Sequence, residues 1–433
     1  MLVSFGVRNF KSYRDATLPL SPLTVLIGAN ASGKSNAIEA LRLLSWIAQG
    51  NKLGSIRYAI QEADRAIRGK VSDLGYRGGS EFSLSCQADL PGWDRFSITL
   101  ERRPDDDLHI RDERLTGPES HVPLYEVVAP SQAAGSDIRV AYNNFARGRK
   151  KPQVTCNDQM AVLVQLQSSA RFEGGHKDAQ HTIPMVTSIY QRLLSSIVFL
   201  DPQPTAMRDY SFNTDQSLRE NGSNISGVLY NLCKIQDCRP TILEFIRSLP
   251  EQDIAKVGFI ETPRGEVMVQ LTETFGGHES DYDATLLSDG TLRVLSIVAA
   301  VLSAPEGSLV VIEEIDNGVH PSRAEQLLER ISEIAKRRKL RVLLSSHNPA
   351  LLDALPNDAV PNVVFCYRDP VDGSSRLTRL MDVPDYPELI AQGSVGHLMS
   401  HGLIERFVKS HPGPAARRAQ AQDWLRELNE QVG

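Results

Sequence analysis

The segment Gly28-Ala-Asn-Ala-Ser-Gly33-Lys34-Ser35 constrains this chain more than any other. It follows a short β-prone run, Leu23 to Ile27, and precedes Ile38, Leu41, Leu44 and Ala48 at helical spacing. A strand that turns through glycines straight into a helix leaves successive backbone N–H groups pointing into one concavity. The helix N-terminus adds partial positive charge there. The spacing G-x-x-x-x-G-K-[ST] is that of a phosphate loop. Lys34 is placed for the β- and γ-phosphates of a nucleotide, and the Ser35 hydroxyl for Mg²⁺, a hard ion that prefers oxygen. Asn30, Ser32, Gly33 and Asn36 complete the expected nucleotide contacts.

A second segment supplies what a phosphate loop lacks. Leu309-Val-Val-Ile312 is a buried-strand pattern that ends in Glu313-Glu314. Paired acids at the carboxyl end of such a strand divide two tasks, Glu313 holding the metal shell and Glu314 orienting or deprotonating the attacking water. Three further positions gain meaning beside them. Leu287-Ser288-Asp289-Gly290-Thr291 precedes a helix, so Ser288 and the amides around Gly290 offer a second anion-binding N-terminus, although alone the segment is an ordinary N-cap with a glycine turn. His347, in Ser345-Ser-His-Asn-Pro, directly follows the apolar strand 341–344. Ligands sit outside the carboxyl ends of parallel strands, so His347 is expected to sense the γ-phosphate. Gln203 follows the strand 197–200 and is expected at metal or water.

Short apolar strands alternate with helical patterns, which predicts a parallel or mixed sheet with helices packed on it. Residues 1–102 are read as the first half of that unit, with a β meander from Glu81 to Arg102. Residues 103–240 are read as an insertion, loop-rich to 182 and helical after it; 241–370 as the second half; and 371–433 as a helical tail. No heptad pattern long enough for a coiled-coil arm is present.

The bulk properties narrow the setting. Five scattered cysteines give no disulfide framework, and Cys233 with Cys238 lacks a second pair at zinc-ligand spacing. No apolar run approaches a membrane span, and the first residues read as a strand instead of a secretory leader, so the expected compartment is the cytosol, with no membrane partner. A net charge of −6 excludes a globally basic footprint. The clusters at Arg147–Lys151 and Lys336–Lys339 are read as solvated loop and helix-end charges.

The opening Val7-Arg-Asn-Phe-Lys-Ser-Tyr13, the phosphate loop, Leu287-Ser-Asp-Gly-Thr291, Glu313-Glu-Ile-Asp-Asn-Gly-Val-His-Pro321 and Ser345-Ser-His-Asn-Pro appear in one order. Together they resemble RecF- and SMC-like head ATPases, with Glu-Glu and His-Pro similar to the OLD-like branch of this broad AAA-type grouping. The resemblance implies an α/β fold: an ABC-type P-loop ATPase head with a mixed sheet flanked by helices, an antiparallel β subdomain and a helical insertion. It implies ATP and Mg²⁺ as cofactors and a composite site, each ATP lying between the phosphate loop of one copy and Ser288/Gly290 of another. The expected partners are a second copy or a higher oligomer, DNA, and a separately encoded effector such as a nuclease, in genome maintenance or anti-phage defence. An ATP-dependent scaffold that never touches nucleic acid is the alternative, and a transporter subunit a weaker one. Glu313 stands where Asp is commoner, and Asp289 and Thr291 depart from the usual Gly and Gln. Residues 356–433 lack an Asp-x-Asp cluster, so no Toprim nuclease domain is expected in this chain.

Overall fold

The computed structural model describes residues 1–56, 67–118, 120–131, 135–148, 150–235, 238–247, 253–275, 277–317 and 321–410. Gly318 to His320, Arg149 and the tail around Trp424 lie outside the described residues.

Among the described residues, one sheet of 14 strands organises the fold. From one edge run Val198–Leu200, Leu309–Ile312, Arg341–Ser345, Leu23–Ile27 and Val363–Arg368, every neighbouring pair parallel. Ser375–Arg379 turns back antiparallel to Val363–Arg368 and meets Tyr13–Pro19. Beyond lie Leu2–Phe10 and an antiparallel meander, Glu81–Ala88, Arg95–Arg102, Leu108–Thr116, Tyr125–Ala129, Asp137–Tyr142 and Gln153–Asn157.

The parallel strands are short because they are buried on both faces. Their side chains divide by the period of two between two cores. Leu23, Val25, Ile27, Val310, Ile312, Val342 and Leu344 join one core, while Leu26, Leu309, Val311 and Leu343 join the other. Helix Lys34–Ala48 packs in the second core beside helix Lys177–Ser195. Helices Asp289–Ser303 and Pro321–Arg337 pack in the first. A smaller sheet, Ser211–Phe212, Ile254–Glu261, Glu266–Phe275 and His278–Asp283, joins the first core and carries helix Ile225–Lys234 against it.

The structure corrects three expectations. Residues 103–182 are not mainly loop: four strands there extend the sheet begun by the first half of the chain. Ser375–Arg379 is a sheet strand where a helical tail was expected, followed by short helices from Tyr386 to Ser410. The basic cluster after helix Pro321–Arg337 has structural work: Arg338 donates to Val301 O at 2.6 Å, Leu302 O at 2.5 Å and Ala304 O at 2.8 Å, closing the C-terminus of helix Asp289–Ser303. No helix among the described residues is long and apolar enough to cross a membrane.

Candidate nucleotide site

The carboxyl ends of the parallel strands converge on one cavity of about 340 Å³. Its wall combines Asn30, Ser32, Gly33, Lys34, Ser35 and Asn36 with Glu313, Glu314 and His347. Residues spread over more than 300 positions therefore meet because each follows a strand of the same parallel set.

The loop is held by its backbone. Gly28 and Gly33 have φ of 149° and 123°, and a Cβ at either would overlap Cys366 O or Ser375 Oγ. Only glycine allows both the turn and the close approach. The Tyr13 hydroxyl donates to Gly33 O at 3.0 Å and lies 3.3 Å from Cys366 Sγ. Ser375 Oγ sits 2.5 Å from Ser32 O and 2.8 Å from Ser12 Oγ, and Asn36 Nδ2 donates to Ser12 Oγ at 2.8 Å. Arg368 Nε donates to Ala31 O at 3.0 Å. Lys34 Nζ curls back to donate to Gly28 O at 2.6 Å and Ala29 O at 3.1 Å, and burial lowers its pKa against the attraction of Cys366, Asp316 and Glu314. A partly desolvated ammonium held by two carbonyls is ready to exchange them for phosphate oxygens.

The acids are fixed differently from each other. Glu313 N donates to Leu200 O at 2.9 Å, and its Oε1 lies 3.0 Å from Arg42 Nη2. The same Nη2 is 2.7 Å from Glu220 Oε1, and the guanidinium stacks 5.0 Å over the Phe199 ring. Burial raises the Glu313 pKa; Arg42 opposes this, and Asp201 adds to it. Glu314 takes φ of 49°, a left-handed conformation that costs a non-glycine residue about 1–2 kcal/mol. The turn is kept by Glu314 N donating to Ser345 Oγ at 3.0 Å and Asn317 Nδ2 donating to Glu314 Oε2 at 2.6 Å. His347 Nδ1 stands 3.5 Å from Asp316 Oδ2, the imidazole half exposed and the carboxylate almost fully buried.

Ser35, Glu313 and Glu314 present hard oxygen donors to one cavity, which suits Mg²⁺. No group of three His, Cys, Asp or Glu among the described residues is arranged to hold a metal by itself. An ion here needs phosphate and water oxygens as well, the usual state of nucleotide-bound Mg²⁺.

Three expected residues are not on this wall. Ser288 Oγ accepts from Thr291 N at 3.1 Å as the N-cap of helix Asp289–Ser303, and neither it nor Gly290 borders the cavity. Gln203 is exposed, with its N donating to Asn221 O at 3.0 Å, and it too stands apart from the cavity wall. The residues that sequence reasoning missed are the braces and orienters: Ser12, Tyr13, Arg42, Asp316, Cys366, Arg368 and Ser375. The Asn-Phe-Lys-Ser-Tyr opening hinted at Ser12 and Tyr13, and the Glu313–Pro321 segment contains Asp316; the others carried no signal.

Comparisons with known proteins fall on the same segments. The family described as "AAA domain, putative AbiEii toxin, Type IV TA system" matches residues 165–353, and an "AAA ATPase domain" family matches residues 1–71. A "DNA replication and repair protein RecF" from Gloeobacter violaceus is 39% identical over 70 residues, which are 16% of this chain and 17% of that protein. The matched segment is thus a minor part of that relative. Among solved structures, the SMC head bound to the C-winged helix domain of ScpA overlays 87% of this chain and 96% of its own, with 14% identity and a TM-score of 0.48. The SMC head domain from Thermotoga maritima overlays 87% and 98%, with 15% identity and a TM-score of 0.42.

Proposed function

We propose that this chain, a RecF/SMC-like head ATPase of the ABC type, works as an ATP-driven dimeric switch. In this reading two copies close on ATP and pass that state to DNA or to a separately encoded effector. The observation that carries the reading is the division of the site. Lys34, Ser35, Glu313, Glu314 and His347 share one cavity, whereas Ser288 and Gly290 stand outside it at the start of another helix. A second copy that brought its Ser288 turn to this cavity would complete the enclosure of the γ-phosphate.

Within one copy the roles follow from position. Lys34 and the loop amides hold the phosphates. Glu314, kept in its strained turn by Ser345 and Asn317, takes a proton from the attacking water. His347, oriented by Asp316, reads the γ-phosphate. Ser35 and Glu313 would hold Mg²⁺, which would supply charge neutralisation to the phosphates.

The wider role draws on kinship. The RecF match supports DNA as a partner, and the AbiEii-type family supports a role in defence. An ATP-dependent scaffold without nucleic-acid contact is the second reading, favoured by the net charge of −6. ATPase rate and sedimentation of wild type and Glu314→Gln, each with and without linear DNA, test both. A stable ATP-locked Glu314→Gln dimer with DNA-stimulated wild-type turnover supports the switch. A locked dimer indifferent to DNA supports the scaffold. ATP changing neither mass nor turnover overturns both.

A further inference from the structure

Arg368 ends the strand Val363–Arg368, and three cavities meet at its side chain. One is the phosphate cavity. The second, of about 190 Å³, is largely apolar and opens toward Met399 and Ile404. The third is an open cleft of about 710 Å³ along Lys11, Ser12 and Asn36. Among the described residues no other borders all three.

The bonding of its guanidinium is asymmetric. Nε donates to Ala31 O at 3.0 Å and Nη1 to Gly373 O at 3.1 Å, which fixes the plane of the group against the phosphate loop. Nη2 has no hydrogen bond among the described residues, and no carboxylate there pairs with Arg368. The nearby acids are engaged elsewhere. Asp369 Oδ2 lies 3.1 Å from Arg376 Nε, and Asp372 Oδ2 lies 3.7 Å from Arg376 Nη2 and 3.8 Å from Arg14 Nη1. The hairpin therefore leaves one positive charge uncompensated where it touches the phosphate seat. Arginine presents its donors as a rigid fork that matches phosphate oxygens, and anchoring one edge of the fork pre-organises the other.

We infer that Arg368 is a nucleotide-contacting residue of this chain's own site, its unanchored edge binding the polyphosphate of ATP from the side of strand Leu23–Ile27 opposite the strand that leads to Glu313 and Glu314. This rests on the nucleotide reading above. The guanidinium carries two tasks at once: it shapes the loop through Ala31 and binds the ligand through Nη2.

Calorimetric titration of wild type, Arg368→Gln and Lys34→Ala with ATP, AMP and adenosine tests it, alongside thermal melting without ligand. The expected result is that Arg368→Gln binds ATP roughly 10- to 100-fold more weakly, the range of one hydrogen bond to a charged group. Adenosine affinity stays near wild type, and ligand-free melting drops only modestly, with the loss of the Ala31 and Gly373 contacts. Arg368→Lys, which keeps the charge without the fork, falls between the two and carries the test should the glutamine variant not fold. Equal loss for ATP and adenosine, or unchanged ATP affinity, overturns the inference while Lys34→Ala still loses ATP. Failure of the wild type to bind ATP overturns the nucleotide reading itself, and the inference with it.

Discussion

Arg208 Nη2 lies 2.6 Å from Asp289 Oδ1, and Nη1 of the same guanidinium donates to Leu287 O at 2.8 Å and Ala284 O at 3.3 Å. One arginine, on the turn that begins after Gln203, thus grips the segment bearing Ser288 and Gly290 from both sides. Asp289 is largely exposed, so the ion pair by itself contributes under about 1 kcal/mol. The two carbonyl contacts do most of the holding.

Removing that grip should separate assembly from ligand binding. Arg208→Ala is expected to weaken ATP-dependent self-association by roughly five- to tenfold, about one hydrogen bond's net value. ATP affinity of the single copy should not change, because Arg208 is absent from the cavity wall. Sedimentation with Glu314→Gln as background measures the first, nucleotide titration the second. A parallel loss in both would place Arg208 in the wrong role.

Arg42 is the only cation within ion-pair distance of Glu313 among the described residues, and both side chains are largely buried. Arg42→Ala leaves a desolvated acid without its partner. We expect a loss of roughly 2 kcal/mol or more in urea unfolding, scaled down from a fully buried pair because some solvent reaches both. Adding Glu313→Gln to that variant should recover part of the loss; no recovery would show that the pair is not coupled.

Gly33→Ala meets two obstacles, a φ of 123° and the Ser375 side chain. Destabilisation of about 1–3 kcal/mol is expected from the clash, with loss of ATP binding. Ser375→Gly in the same chain should relieve the crowding and leave the φ strain, so denaturation should show partial recovery. Full recovery would mean that the backbone conformation is of no consequence.

Glu113 supplies a pH dependence. It is fully buried in strand Leu108–Thr116, with Oε1 accepting from Tyr125 Oη at 2.8 Å and Leu163 N at 2.7 Å, and Oε2 from Val162 N at 2.8 Å. Burial pushes its pKa from 4.5 up to about 7, the three hydrogen bonds opposing. The folded chain then holds a proton that the unfolded chain has released, so this contribution is full below pH 4.5 and is lost as pH rises through about 7. It amounts to at most about 3 kcal/mol. Glu113→Gln should flatten that slope in denaturation midpoints measured at pH 5 and pH 7.5; two parallel profiles would assign the pH dependence elsewhere.

The parts of this fold that are legible in the sequence are those whose neighbours in sequence are also their neighbours in space. Leu23–Ile27, the glycine turn and the helix after it specify one another locally, and Leu309–Ile312 and Arg341–Ser345 announce burial on both faces. Strand Leu108–Thr116 reads Leu-His-Ile-Arg-Asp-Glu-Arg-Leu-Thr, and its charges hide the alternation. Glu113 even breaks the rule outright, a carboxylate facing inward because two backbone N–H groups of another segment need it. Val363–Arg368 is apolar enough to read as a strand, but nothing local says that it lies beside the phosphate-loop strand. The site follows the same division. Lys34, Ser35 and the paired acids belong to motifs, whereas Arg42, Arg208 and Arg368 look like any surface arginine until the sheet brings their partners to them.

The phosphate loop takes its shape from Ser12 and Tyr13 on one side and from Cys366, Arg368 and Ser375 on the other, more than 340 residues later in the chain. A growing polypeptide that has already exposed Gly28 to Ser35 therefore carries the letters of the motif without its form until strand Val363–Arg368 has been synthesised and docked. If the chain binds ATP as proposed, that binding reports completed folding. On the reading proposed above, a half-made or clipped chain that lacks those braces is expected to hold nucleotide poorly, so the site matures only as the molecule around it does.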